Sequence, residues 1–136
     1  MNPQGMPQMS TLEAYQALLQ AFAAQEGLDP AHLLDSEEIV IDGLVVALSH
    51  AGADLQCMCE VAPLPPHPTE DLLLLLLQAN TLGAPTQGAT LGLLGSRDTL
   101  VLAARIPLDS SAQRVAHTCL DLAAMSVLWA AMLPQV

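Results

Sequence analysis

Residues 38–48 read Glu38-Ile39-Val40-Ile41-Asp42-Gly43-Leu44-Val45-Val46-Ala47-Leu48, and this stretch decides the fold. Two short β-branched runs flank Asp42-Gly43, a dipeptide type that accepts positive φ at both central positions of a tight hairpin turn. From Glu37 to about Val61 the pattern has a period of two. After a turn at Ala51-Gly52-Ala53-Asp54, a third strand places Leu55, Cys57, Cys59 and Val61 on one face and Gln56, Met58 and Glu60 on the other. Such alternation marks an antiparallel sheet with one buried and one wet face. Pro63, Pro65, Pro66 and Pro68 end it, because proline cannot donate to a strand ladder.

Helical patterns lie on both sides of this unit. Ser10-Thr11-Leu12-Glu13 has the form of a capping box, which satisfies free N–H groups of a first helical turn. Leu12, Tyr15, Leu19 and Phe22 then form one apolar stripe. Gly27 ends that helix, and Asp29-Pro30 reads as a further turn. Thr69 caps a second helix, with Glu70 and Asp71 favourably placed against its dipole; it runs to about Leu82-Gly83. Ala89–Leu94 and Thr99–Ile106 form a second hairpin about Gly95-Ser96-Arg97-Asp98, ended by Pro107. Ser110-Ser111-Ala112-Gln113 caps a last helix whose stripe of Val115, Cys119, Leu122, Trp129 and Met132 is expected to face inward. The order α-β-β-β-α-β-β-α predicts an α+β domain, a twisted antiparallel sheet with helices packed on it. Residues 1–10, uncharged and rich in Pro, Gly and Gln, read as a flexible leader to a single domain over 11–136.

Charge narrows the function classes. The 136 residues carry 14 acidic and three basic side chains, for a net charge of -11. Such a chain repels phosphate backbones and anionic membranes, so neither nucleic acid nor membrane is an expected partner. The charge is also partitioned. Eleven acidic residues lie between Glu13 and Asp71 with no basic one; residues 72–96 hold no charge; Arg97, Arg105 and Arg114 balance Asp98, Asp109 and Asp121 beyond. The segment Val115–Leu133 is long enough to span a bilayer, but His117 and Asp121 within it suit an amphipathic helix of a soluble protein better. No secretory signal opens the chain, and the odd number of cysteines, Cys57, Cys59 and Cys119, fits reduced thiols in a cytoplasm.

The six leucines Leu72–Leu77 are the most informative local feature. At 100° per residue they cover every side of a helix, whereas a small domain's surface helix needs apolar residues on one stripe only. A second subunit is the natural source of the extra burial; a central helix buried within a monomer is the alternative. The uncharged window 72–96 matches the charge-depleted core of a stable interface. Catalytic or metal-binding constellations are not expected. Cys57-x-Cys59 with His50 and His67 lacks zinc spacing and reads as core thiols. Gly92-Leu93-Leu94-Gly95-Ser96 is no phosphate loop, since no lysine follows. Ser49-His50 and Asp109-Ser110-Ser111 are accounted for by turns and caps. No enzyme activity and no cofactor are expected.

Leu76-Leu77-Gln78-Ala79-Asn80-x-Leu82-Gly83, Gly88-Ala89-Thr90-Leu91-Gly92-Leu93, Leu100-Val101-Leu102 and Arg105-Ile106-Pro107-Leu108 together resemble the Tir-chaperone (CesT-like) family. These are small acidic dimeric chaperones of type III secretion, here of the class I effector-binding kind. The resemblance covers about residues 11–133. It implies a homodimer joined through the second helix and the following strand, which places Leu72, Leu73, Leu76, Leu77, Asn80, Leu91 and Leu93 at the interface. It implies that an extended N-terminal segment of a secreted effector wraps the dimer and adds a strand to a sheet edge, without ATP. Effector patches in the family draw on the first helix and first three strands, so Leu12, Tyr15, Leu19, Ile39, Ile41, Val45 and Met58 are the candidates. The secretion ATPase and a regulator are further candidate partners, and the bacterial cytoplasm is the expected location. A regulator of the same fold, which sequesters a controller of the secretion genes, shares every one of these residue arguments. A small hydrolase or ligand-binding domain would need a deep polar pocket that no convergent residues line. Salt is expected to slow association with a basic client and hardly to affect dimerisation.

Overall fold

The computed structural model describes residues 10–64, 67, 69–82, 89–94 and 98–133, the side chains of 79–82 excepted. The expected leader before Ser10, the turns at 83–88 and 95–97, and Pro65, Pro66 and Pro68 lie outside them. The elements are α1 (Thr11–Glu26), α2 (Pro30–Ser36), β1 (Glu38–Ile41), β2 (Leu44–Ala51), β3 (Asp54–Pro63), α3 (Glu70–Leu82), β4 (Thr90–Leu94), β5 (Thr99–Pro107) and α4 (Ala112–Met132). Five antiparallel strands form one sheet in the order β1-β2-β3-β5-β4. The α+β reading therefore stands.

The local signals act as their chemistry requires. Asp42 and Gly43 both take positive φ, 50° and 82°, which makes a two-residue turn of the primed type and pairs Ile41 with Leu44. Ser10, Thr69 and Ser111 each accept a hydrogen bond at 3.1 Å from a first-turn backbone N–H, of Glu13, Leu72 and Arg114 respectively. One element departs from expectation. Asp29-Pro30 does not merely turn the chain: the Asp29 carboxylate accepts from Ala31 N–H at 3.1 Å, and Pro30, with its fixed φ, starts the seven-residue α2.

Register divides the sheet into two faces. Ile39, Val46, Cys59, Leu102 and Leu91 form a row across all five strands on one face. α4 packs there and α1 packs against α4, the two contributing Tyr15, Leu19, Phe22, Cys119 and Trp129 to a single core that Leu72 and Leu76 of α3 join. The opposite row, Glu38, Ala47, Met58, Ala103 and Thr90, stays outside that core. On α4 the buried row is Val115, Cys119, Leu122, Ser126 and Trp129. Met132, expected to face inward, is exposed instead, because alternating steps of four and three carry the row from Trp129 to the buried Leu133. α4 is long and apolar enough to cross a membrane by length and composition, with a hydropathy of 1.4, but its buried row holds the sheet.

Candidate functional site

Three apolar surfaces among the described residues gather the sequence-derived candidates. The first is a groove of about 470 Å³ at the outer edge of β1. The C-terminal end of α1 supplies Phe22, α2 supplies Leu33, α4 supplies Leu120, and all four β1 residues line it, Ile39 and Ile41 among them. Its rim is acidic, with Glu26, Asp29 and Glu38. β1 ends the strand order, so among the described residues no strand pairs with its outer side and it remains a sheet edge.

The second surface is the face of the sheet that no part of the core covers. Val45, Ala47 and Met58 lie there in a shallow cleft of about 800 Å³ between Glu38 and Glu60. Val40, opposite Val45 in the ladder, belongs to the same face. Sequence reasoning passed over Val40 because it chose Ile39 and Ile41. The period-two rule that placed those two on one face places Val40 on the other.

The third surface is α3 with β4. Leu72 and Leu76 are buried in the chain's own core, whereas Leu73, Leu74, Leu75 and Leu77 are 44%, 48%, 40% and 64% exposed. The helix is therefore not the buried centre of a monomer. Leu91 of β4 is buried and Leu93 exposed; Leu73, Leu76 and Leu77 meet them around a hollow of about 300 Å³. Asn80 lies on α3, with its side chain outside the described residues. Monomeric soluble proteins seldom expose so many contiguous large apolar side chains.

The other sequence-derived candidates divide by burial. Leu12 is exposed on the first turn of α1. Ile39, Ile41 and Met58 are half-buried, and Val45 is exposed. Tyr15 and Leu19 are core side chains rather than surface ones. Leu19 sits beneath α1 with no exposed area. The Tyr15 hydroxyl donates to the Glu37 carboxylate, and its ring stacks on His50 with centroids 5.4 Å apart. Burial, aided by that carboxylate, raises the Tyr15 pKa well above the usual phenol value. This contact ties α1 to the residue that caps α2 and leads into β1. The thiols are equally structural. Cys119 donates weakly to Cys57 across 3.9 Å; that contact and burial raise the Cys119 pKa far above a free thiol's. Among the described residues no group of three or more His, Cys, Asp and Glu side chains is placed to hold a metal ion.

The sequence profile of the Tir chaperone protein (CesT) family matches residues 17–133. No curated protein matches the chain. Several solved structures share its fold. The Yersinia pestis type III secretion chaperone SycH, solved with a stable fragment of YscM2, is 21% identical with a TM-score of 0.65, over 84% of this chain and 98% of that one. The HopA1–SchA chaperone–effector complex gives 21%, 0.68, 92% and 98% for the same quantities. The Pseudomonas aeruginosa ExoU–SpcU heterodimeric complex of the type III secretion system gives 17%, 0.67, 84% and 96%. With a profile match spanning most of its length, the chain belongs to the Tir chaperone protein (CesT) family.

Proposed function

We propose that the protein is a type III secretion chaperone that holds a non-globular N-terminal segment of a secreted effector in extended form, in the cytoplasm of a bacterium. The observation that carries this reading is the coincidence of a free strand edge with two client-sized apolar surfaces on one half of the sheet, β1 to β3. An extended segment would gain main-chain hydrogen bonds at the edge and bury its alternate side chains on the surfaces beside it. Nothing in that mechanism calls for nucleotide hydrolysis or covalent chemistry, so the protein acts by binding rather than as an enzyme. It keeps an aggregation-prone segment covered until export.

The other half of the molecule serves self-association. Two copies joined through the exposed leucines of α3 and Leu93 of β4 would complete the burial that one chain leaves unfinished. A twofold pairing uses the same patch on each subunit. Co-expression with secreted proteins encoded beside the gene tests the reading. The client's N-terminal segment becomes soluble and protease-resistant only with the chaperone present, and hydrogen exchange slows in β1 and β2 of the complex. A client equally soluble alone, or protection confined to α3 and β4, would overturn it.

A further inference from the structure

We propose that the groove at the edge of β1 selects, within the client, a strand whose apolar anchor stands next to a lysine or arginine. This rests on the chaperone reading above and specifies what the client must present. The ladder fixes which backbone groups are available. The tight turn makes Ile41 and Leu44 a hydrogen-bonded pair, and Ile39 and Val46 are the next in phase. Leu48 N–H donates to the Glu37 carbonyl at 2.8 Å, which extends that phase by one more step. The N–H and C=O groups of Glu38 and Val40 therefore point away from β2, toward the groove.

A strand laid along that edge bonds to Glu38 and Val40. Residues opposite those two turn their side chains to the open face, and the residue between them, opposite Ile39, turns its side chain into the groove against Phe22, Leu33 and Leu120. One apolar anchor is thus specified by register. The position beside it, directly across from Glu38, favours a cation, since opposite charges attract and like charges repel in cross-strand pairs. Among the described residues, no lysine or arginine lines the open-face cleft that Glu38 borders. The chain's own segments fit poorly. The leader MNPQGMPQMS has no lysine or arginine, and neither do the two sheet-edge strands that a second copy would offer, Glu38–Ile41 and Thr90–Leu94.

The test uses the full-length protein and two short labelled synthetic peptides of alternating residues, identical except that one carries lysine where the other carries glutamate. Fluorescence polarisation is expected to show roughly tenfold tighter binding of the lysine peptide at low salt, a preference that Glu38→Lys reverses. Val40→Pro removes an outward N–H without touching the β2 ladder, and is expected to abolish binding of both peptides while circular dichroism stays unchanged. Equal affinity for the two peptides, or a Glu38→Lys protein with the wild-type preference, would overturn the proposal. So would binding that appears only after residues 1–9 are removed, because the leader would then be the occupant. A secreted client retained equally by wild type and Glu38→Lys overturns the charge rule alone; failure to retain any secreted client overturns the chaperone reading itself.

Discussion

Val40 and Val45 face each other across the β1–β2 ladder, and both project from the side of the sheet opposite α4, 68% and 46% exposed. Two facing β-branched side chains left in water contribute little to the isolated chain beyond strand propensity. Their value lies in what covers them. Replacing both with threonine keeps the β-branched shape and removes apolar surface. Stability should change by no more than about 0.5 kcal/mol per site. Client affinity should fall by about 1 kcal/mol for each, roughly thirtyfold together. Calorimetry on the purified chaperone–client complex, beside a denaturant titration of the free chaperone, checks both.

Leu73 and Leu77 make the opposite case on α3. Both are exposed, so Leu73→Asp and Leu77→Asp should leave the individual subunit's core intact while placing a charge in the middle of the proposed subunit contact. Light scattering is expected to shift from dimer to monomer for either variant. Leu76→Asp differs in kind: Leu76 belongs to the core, and its variant should unfold or aggregate.

The Tyr15–Glu37 contact predicts a pH dependence. The folded-state pKa of Tyr15 lies above its unfolded value of about 10, so its contribution is fully present below that pH and is lost as pH rises through the folded value. Tyr15→Phe should be less stable than wild type at neutral pH by about 1 kcal/mol, for the missing hydrogen bond. The gap should narrow as pH climbs beyond about 10. Urea titrations of both proteins across that range give the measurement.

The three thiols should be inert while the chain is folded. Cys57, Cys59 and Cys119 are buried, and the raised pKa of Cys119 keeps its thiolate scarce. Ellman's reagent at mildly alkaline pH should titrate fewer than one thiol per native chain and all three after denaturation.

How much of this was legible beforehand follows from the range over which each signal acts. Asp42-Gly43, Ser10, Thr69 and Ser111 are local devices whose geometry depends on their neighbours in sequence, and each turns or caps the chain as expected, with the Glu13 half of the capping box accepting from the Ser10 hydroxyl at 3.2 Å. Alternation sorted Leu55, Cys57 and Cys59 inward for the same reason. α2 was missed because Asp29-Pro30 serves equally as a turn and as a cap followed by a first-turn proline; only the following Leu33, which the core buries, separates the two. Tyr15 and Leu19 could not be told from surface residues, since a helix stripe shows which side is apolar but not whether a sheet or a client covers it. Val40 was overlooked for the complementary reason. Its exposure depends on which face of the sheet α4 covers, which no window of sequence displays.

A secretion chaperone is occupied in its host by a secreted protein. Native mass spectrometry of the tagged chaperone, purified from its own bacterium under conditions that induce secretion, tests it most directly. The expected species contains two 14.3 kDa chains and one secreted effector, whose chaperone-bound segment lies near the effector's N-terminus. A chain recovered only with itself, or only with a DNA-binding regulator, would contradict it.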